Sequence, residues 1–151
     1  LEQAWSGTGS GRPAELCAWL TLIGVRAARA ARSGRERDLI ARFEALLERE
    51  FARRHAVGWY ARALGVSPTH LSRLCRARHG ASARALIARR VMREARRLLL
   101  YTERSVAEVA EAVGFADPNH FSRAFARATG QPPTAFRRTA RRALVPDGGA
   151  P

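Results

Sequence analysis

Lysine is absent from this 151-residue chain. All 27 basic side chains are arginine, set against 13 carboxylates, for a formal charge of +14. Cysteine is nearly absent as well. Cys17 and Cys75 show no C-x-x-C spacing and no nearby histidine pattern, which argues against a disulfide framework and a zinc site. They read as reduced, small apolar side chains in a cytoplasmic protein. Long apolar runs are missing too: the longest, LCAWLTLIGV at 16–25, is too short to span a bilayer. It has no basic leader, so it does not read as a signal peptide. No Ser/His/Asp set, paired carboxylate site or glycine-rich phosphate loop is found, so no enzyme activity, cofactor or metal is expected. The length allows one domain or two very small ones. The chain begins without Met and reads as a piece of something longer.

The arginines are unevenly spread. Residues 1–34 hold four Arg and two Glu, and 35–54 hold six Arg and five acidic residues. Residues 55–143 hold 17 Arg and five acidic residues, a net +12. Such a field favours a polyanion, either nucleic acid or an anionic membrane surface. The plainer alternative is a solvated cationic surface.

The pattern is helical almost throughout. Residues 1–12 are Gly/Ser-rich and read as linker. Pro13 opens a helix in which Leu16, Trp19, Leu20, Ile23 and Ala27 share one face, while Arg26, Arg29 and Arg32 load its C-terminal end. Ser33-Gly34 is expected to break it. A second helix follows, with Leu39, Ile40, Phe43, Leu46, Leu47 and Phe51 at i, i+3, i+4 spacing. Residues 144–151 read as a disordered tail.

The region after residue 55 carries one pattern twice. GVSPTHLSRLCRARHG (65–80) is a blurred copy of GFADPNHFSRAFARATG (114–130). Pro68, His70, Ser72, Arg73 and Gly80 match Pro118, His120, Ser122, Arg123 and Gly130 at an offset of 50, whereas Val57, Ala61, Ala63 and Gly65 match their counterparts at 49. An extra residue confined to a turn, with both flanks in step, marks a duplicated supersecondary unit. A membrane-surface peptide would leave that duplication unexplained.

Each copy has the marks of a helix-turn-helix. Val57, Tyr60, Ala61 and Leu64 line the first short helix, and Gly65 supplies the positive φ of the turn. Ser67 caps the next helix, with Pro68 at its first position. The second copy repeats the scheme with Val106, Val109, Ala110, Val113, Gly114, an Asp117 cap and Pro118. Ser105 and Glu108 form a capping box at its opening. On the second helices, Thr69, Ser72, Arg73 and Arg76 face outward in one copy, and Asn119, Ser122, Arg123 and Ala126 in the other. Leu71, Leu74 and Cys75, and likewise Phe121, Phe125 and Ala128, are expected to face inward. Any amphipathic helix has a polar outer face. Here both copies keep Ser-Arg on it, with no acidic residue after either cap, and Arg and Asn bond guanine and adenine edges bidentately. His70 and His120 sit in the first helical turns with no third ligand in view, which suits packing or a phosphate contact better than metal binding.

Between the copies, Ala83, Leu86, Ile87, Val91, Ala95, Leu98 and Leu99 form an apolar stripe on one helix. At about 19 residues it spans about 28 Å, against the roughly 34 Å separation of successive major grooves on one side of B-DNA. Such a spacer suits two reading helices that enter adjacent grooves together. The fold expected is all-α: two helix-turn-helix units joined by a long connecting helix, homeodomain-like in type.

Residues 35–143 resemble the DNA-binding domain of the AraC family of bacterial transcription regulators. The likeness is carried by Arg90, Ala95, the run 105–110 (SVAEVA), Gly114-Phe115, Asp117-Pro118, the run 120–123 (HFSR), Phe125, Gly130, Pro133 and Phe136-Arg137. The run WYARALGVSPTHLSRLCRARHG is similar to regulators of aromatic-acid catabolism, such as those responding to 4-hydroxybenzoate or 4-hydroxyphenylacetate. The resemblance implies base contacts from Thr69, Ser72, Arg73, Asn119, Ser122 and Arg123. It implies phosphate or positioning contacts from Ser67, His70, Arg76, Ser105, His120 and Arg127. Ala126 stands where the first copy has Arg76, so the second groove is expected to be the more weakly read. Family members carry an upstream β-barrel effector and dimerisation domain, of which residues 13–34 would be the last helix. The implied partners are double-stranded DNA, RNA polymerase, a second copy held through 13–32 and the upstream domain, and an aromatic-acid effector bound by that domain alone. The implied role is that of a cytoplasmic, nucleoid-associated activator. The alternative is an architectural protein that coats nucleic acid without choosing sequence.

Overall fold

A computed structural model describes residues 12–144 of the chain, all of its regular elements helical. The expected linker and tail fall outside the described residues, apart from Arg12 and Leu144 at helix ends. The helices are α1 (Arg12–Glu50), α2 (Val57–Ala63), α3 (Pro68–His79), α4 (Ala83–Tyr101), α5 (Val106–Ala112), α6 (Pro118–Thr129) and α7 (Pro133–Leu144). Among the described residues there is no strand.

One expectation is corrected at once. Ser33-Gly34 does not break the first helix, which runs unbroken to Glu50. A glycine inside a helix costs only about 1 kcal/mol relative to Ala, and no proline stands near it to remove a donor.

Backbone contacts divide the chain into two units, 1–39 and 40–151. In the first, Trp19, Leu20, Ile23 and Ala27 of the expected apolar face are exposed, as are Leu22 and Val25. In the second, Ile40, Phe43 and Leu47 of α1 are buried. Phe43 meets the edge of Tyr60 at 5.7 Å between ring centroids. Glu48 accepts from Arg90 Nε at 2.7 Å and from Arg93 at 3.0 Å, while the Arg90 guanidinium lies 3.7 Å over the Phe51 ring. Aliphatic packing and a clasp of opposite charge thus fasten 40–51 to α4.

The turns form as their residues dictate. Gly65 takes φ +70° and Gly114 φ +85°. Ser67 Oγ accepts from the His70 amide, and Asp117 accepts from the Asn119 and His120 amides. The Ser105–Glu108 capping box closes in both directions, and the Ser105 amide holds the Glu108 carboxyl below its usual range. Each bond satisfies a first-turn donor that the helix itself cannot.

The connecting helix α4 is the spine of the second unit, packed against α2, α3, α5 and α7. Its buried stripe includes Ile87, Val91, Ala95, Leu98 and Leu99 as expected, and also Met92, while Leu86 is only half-buried. Phe121, Phe125 and Phe136 form a chain of tilted and edge-on ring contacts between α6 and α7. Arg137 ties α7 to the Leu99 and Arg104 carbonyls, and Arg141 reaches the Thr102 carbonyl at 3.2 Å. Two of those carbonyls, Leu99 and Thr102, lie in the last turn and C-cap of α4, where acceptors lack intrahelical partners.

Candidate nucleic-acid interface

The outer faces of α3 and α6 carry the candidate residues. On α3, Thr69, Arg73 and Arg76 are exposed and Ser72 is half-buried, above the fully buried Leu71 and Cys75. Burial pushes the Cys75 thiol up to about 11, with the Glu44 charge adding to it, so at neutral pH it is an inert packing group. On α6, Asn119, Arg123 and Arg127 are exposed and Ser122 is half-buried, above the fully buried Phe121 and Phe125. The polar positions of both faces therefore agree with the sequence pattern, although Ala126, also expected outward, is half-buried. Ala128 departs from the pattern too. It was expected inside but is exposed, because the last turn of α6 runs past the core, where Arg96 donates to its carbonyl at 3.4 Å.

Charge follows the same geometry. Neither α3 nor α6 has an acidic residue in its first turn, and both end on basic ones: Arg76, Arg78 and His79 in α3, Arg127 in α6. Free helix N-termini with exposed amides attract phosphate. Pro68 and Pro118 lie exposed at the helix starts, where the neutral Ser67 hydroxyl caps α3, whereas the Asp117 carboxylate already bonds the Asn119 and His120 amides of α6. The N-terminus of α5 is occupied as that of α6 is, since the Glu108 carboxylate lies against the Ser105 amide at 2.7 Å.

The two equivalent histidines have diverged. His70 Nδ1 accepts from the Arg73 guanidinium at 3.0 Å, which restrains that fork before any ligand arrives. His120 instead lies edge-on to Phe115, 5.4 Å between centroids. Ser67 and Ser105 serve as caps, each accepting a backbone N–H. Their own hydroxyl protons remain available to donate.

Sequence reasoning missed the residues that hold the reading helices in place. Arg96, Arg137 and Arg141 bond backbone carbonyls 32 to 39 residues away, and His55 bonds the Val113 carbonyl across 58. No local pattern announces such pairings. For Arg96 and Arg141 the only signal is the excess of arginine itself, while Arg137 stands in the family-like pair Phe136-Arg137 with no role given to it.

Two turn-linked helix pairs, each presenting an arginine-bearing second helix and both packed on one connecting helix, define a double helix-turn-helix protein. A family model described as a helix-turn-helix domain matches residues 60–139. The chain belongs to this helix-turn-helix family, of AraC type, and the curated relatives it matches are named as transcription regulators. It is 45% identical over 78 residues to the HTH-type transcriptional regulator GlxA of Rhizobium meliloti (strain 1021), a stretch covering 52% of this chain and 24% of GlxA. The C-terminal domain of AraT, a response regulator from Geobacillus stearothermophilus, superposes with a TM-score of 0.65 at 31% identity, covering 74% of this chain and 91% of that one. The DNA-binding domain of the global transcriptional factor AdpA, solved in complex with a target DNA, gives 0.60 at 28% identity, covering 75% and 97%. The chain spans about a quarter of the length of the curated relatives it matches. Among the described residues no helix is long and apolar enough to cross a membrane.

Proposed function

We propose that this chain is the DNA-reading part of a transcription activator and inserts α3 and α6 into adjacent major grooves of one promoter site. The observation that carries the reading is the repeated outer face. Thr69, Ser72 and Arg73 recur as Asn119, Ser122 and Arg123 on a second exposed helix of the same compact unit. Arg73 and Arg123 suit guanine, and Asn119 suits adenine. Ser67, His70, Arg76, Ser105, His120 and Arg127 serve as phosphate or positioning contacts, since most stand at helix starts or on the exposed basic ends.

The rest of the proposal concerns a longer protein. Activation calls for contact with RNA polymerase, for which the exposed surface away from α3 and α6 is available. Residues 13–34 belong to a dimerisation and effector part, and the DNA-binding part starts near residue 35. The exposed Trp19, Leu20 and Ile23 favour pairing with a second copy through 13–32. An aromatic acid of the 4-hydroxybenzoate type is the effector, sensed upstream of this chain. The working location is the bacterial nucleoid.

Selection from random double-stranded DNA tests the central point. A two-part motif with its halves about one helical turn apart is expected. Recovery of no motif, with binding intact, would make the protein a sequence-indifferent coat instead.

A further inference from the structure

The two copies differ in one place where the sequence has an extra residue, the turn 114–117, and there the structure shows a contact the first copy lacks. His55, in the segment between α1 and α2, donates from Nε2 to the Val113 carbonyl at 3.0 Å. Its ring lies 5.3 Å from that of Phe115. Gly114 passes so close to this segment that a Cβ built on it would overlap the Ala52 carbonyl oxygen, with His55 Nε2 at 3.1 Å. Gly65, the equivalent glycine of the first copy, has nothing within 4 Å of its own built Cβ. Both take positive φ, but only Gly114 is also needed for a close approach.

Both sides of the contact are anchored. The Arg54 carbonyl accepts from the Tyr60 hydroxyl at 2.8 Å, and the Arg53 and Arg54 amides both bond the Glu50 carbonyl. Phe51, just before the segment, lies beneath the Arg90 guanidinium. On the other side, Phe115 packs edge-on against His120 and Phe121 in the first turn of α6, beside Asn119. A displacement at 52–55 is thus passed to the start of the second reading helix through rigid rings.

We propose that His55, Ala52 and the Val113–Phe115 turn form a brace between the two helix-turn-helix units that fixes the angle between α3 and α6, and with it the half-site spacing the protein accepts. His55 is the positioning residue of this brace. Without it α4 alone joins the halves, and a single helix leaves bending and torsion to be settled on the DNA. The inference rests on the two-groove reading. If loss of the brace leaves about a tenth of the molecules in the competent orientation, affinity for the correctly spaced site falls about tenfold.

The test uses the whole 151-residue chain and a selected two-part site. Variants of that site move the halves by one base pair, a rotation of about 35°, or scramble one half. His55→Ala and Gly114→Ala are expected to lose about tenfold on the original spacing and to discriminate less between spacings. His55→Gln keeps an N–H donor near the position of Nε2 and is expected to restore spacing discrimination. Gly65→Ala strains the same kind of turn without touching a neighbour, and is expected to keep the wild-type spacing preference. Circular dichroism and thermal unfolding confirm that each variant is folded. A folded His55→Ala protein with wild-type affinity and spacing preference overturns the brace. So does a Gly65→Ala variant that loses discrimination as fully as Gly114→Ala. If the wild type itself is indifferent to scrambling either half, the two-groove reading fails instead, which separates the two conclusions.

Discussion

Inserting one alanine between Arg93 and Glu94 tests the connecting helix directly. One added residue turns everything beyond it by about 100° and advances it by about 1.5 Å. The point is chosen because the contacts divide there. Arg90 and Arg93 clasp Glu48 on the N-terminal side, while Arg96 and the Leu99 carbonyl hold α6 and α7 on the other. Glu94, whose carboxyl is held below its usual range by the hydrogen bond from Arg97 and by the nearby arginine charges, keeps Arg97 at 2.6 Å but loses Arg90. The rotation points Asn119, Ser122 and Arg123 away from the groove next to that of α3. Two bidentate readers at about 1–3 kcal/mol each make the expected loss about 2–6 kcal/mol, or about 30-fold to above 10⁴-fold in affinity. Binding to random DNA, held by phosphate contacts, is expected to change little. Titrations by fluorescence anisotropy on the selected site and on scrambled DNA measure both. Circular dichroism must first show native helicity, because the insertion also disturbs the stripe from Ile87 to Leu99. Inserting four residues restores most of the facing and adds about 6 Å, so partial recovery is expected on a more widely spaced site. A well-folded single insertion that binds the original site unchanged would refute the rigid spacer, and the two units would then act one at a time.

Arg73→Ala and Arg123→Ala are each expected to lose about 1–3 kcal/mol on the selected site and little on random DNA, with the Arg73 change the larger because His70 restrains that guanidinium. Equal losses on both DNAs would reduce them to phosphate contacts. Arg76→Ala is expected to lower the salt slope by about 0.9 while sparing base preference, and an unchanged slope would remove Arg76 from the phosphate set. Burial, with the Glu50 charge adding to it, pushes the Tyr60 phenol up to about 12 from 10.0. Its neutral form is therefore favoured by folding: the stability is fully present below pH 10 and lost as pH rises through about 12. Alkaline unfolding monitored by phenolate absorbance should show this, and Tyr60→Phe should flatten that part of the pH profile.

What was legible in the sequence was local. Ser67 and His70, Ser105 and Glu108, and Asp117 and Asn119 lie within three residues of each other, and their bonds depend on side chains and dihedrals that neighbouring letters determine. The reading faces of α3 and α6 followed from the same short periodicity. What failed to show was set by packing across the chain. His55 finds Val113 only after α4 has folded the halves together. His70 and His120 share one sequence context yet serve differently, because Phe115 in the longer turn gives His120 a ring to meet. Ser33-Gly34 misled because its breaking power is a weak propensity, overridden within a long helix. Ala128 misled because helical phase alone does not say where a core ends.

The fastening of α7 has a consequence for the order in which the molecule is made. The first helix-turn-helix and its Phe43–Tyr60 core draw on residues 40–93, so their partners leave the ribosome early. The core of the second helix-turn-helix closes with the buried Pro133 and with Phe136, and Arg137 and Arg141 add long-range ties to its turn from α4 to α5. Units fold as their residues become available during synthesis, so the half that carries Asn119 and Arg123 becomes competent last. A chain stopped at Thr129 is expected to show amide-exchange protection in α2 and α3 but little in α5 and α6. Equal protection in both halves would show that α7 is not the closing piece. An interrupted synthesis would thus yield at most a one-groove reader, with weak hold on any promoter.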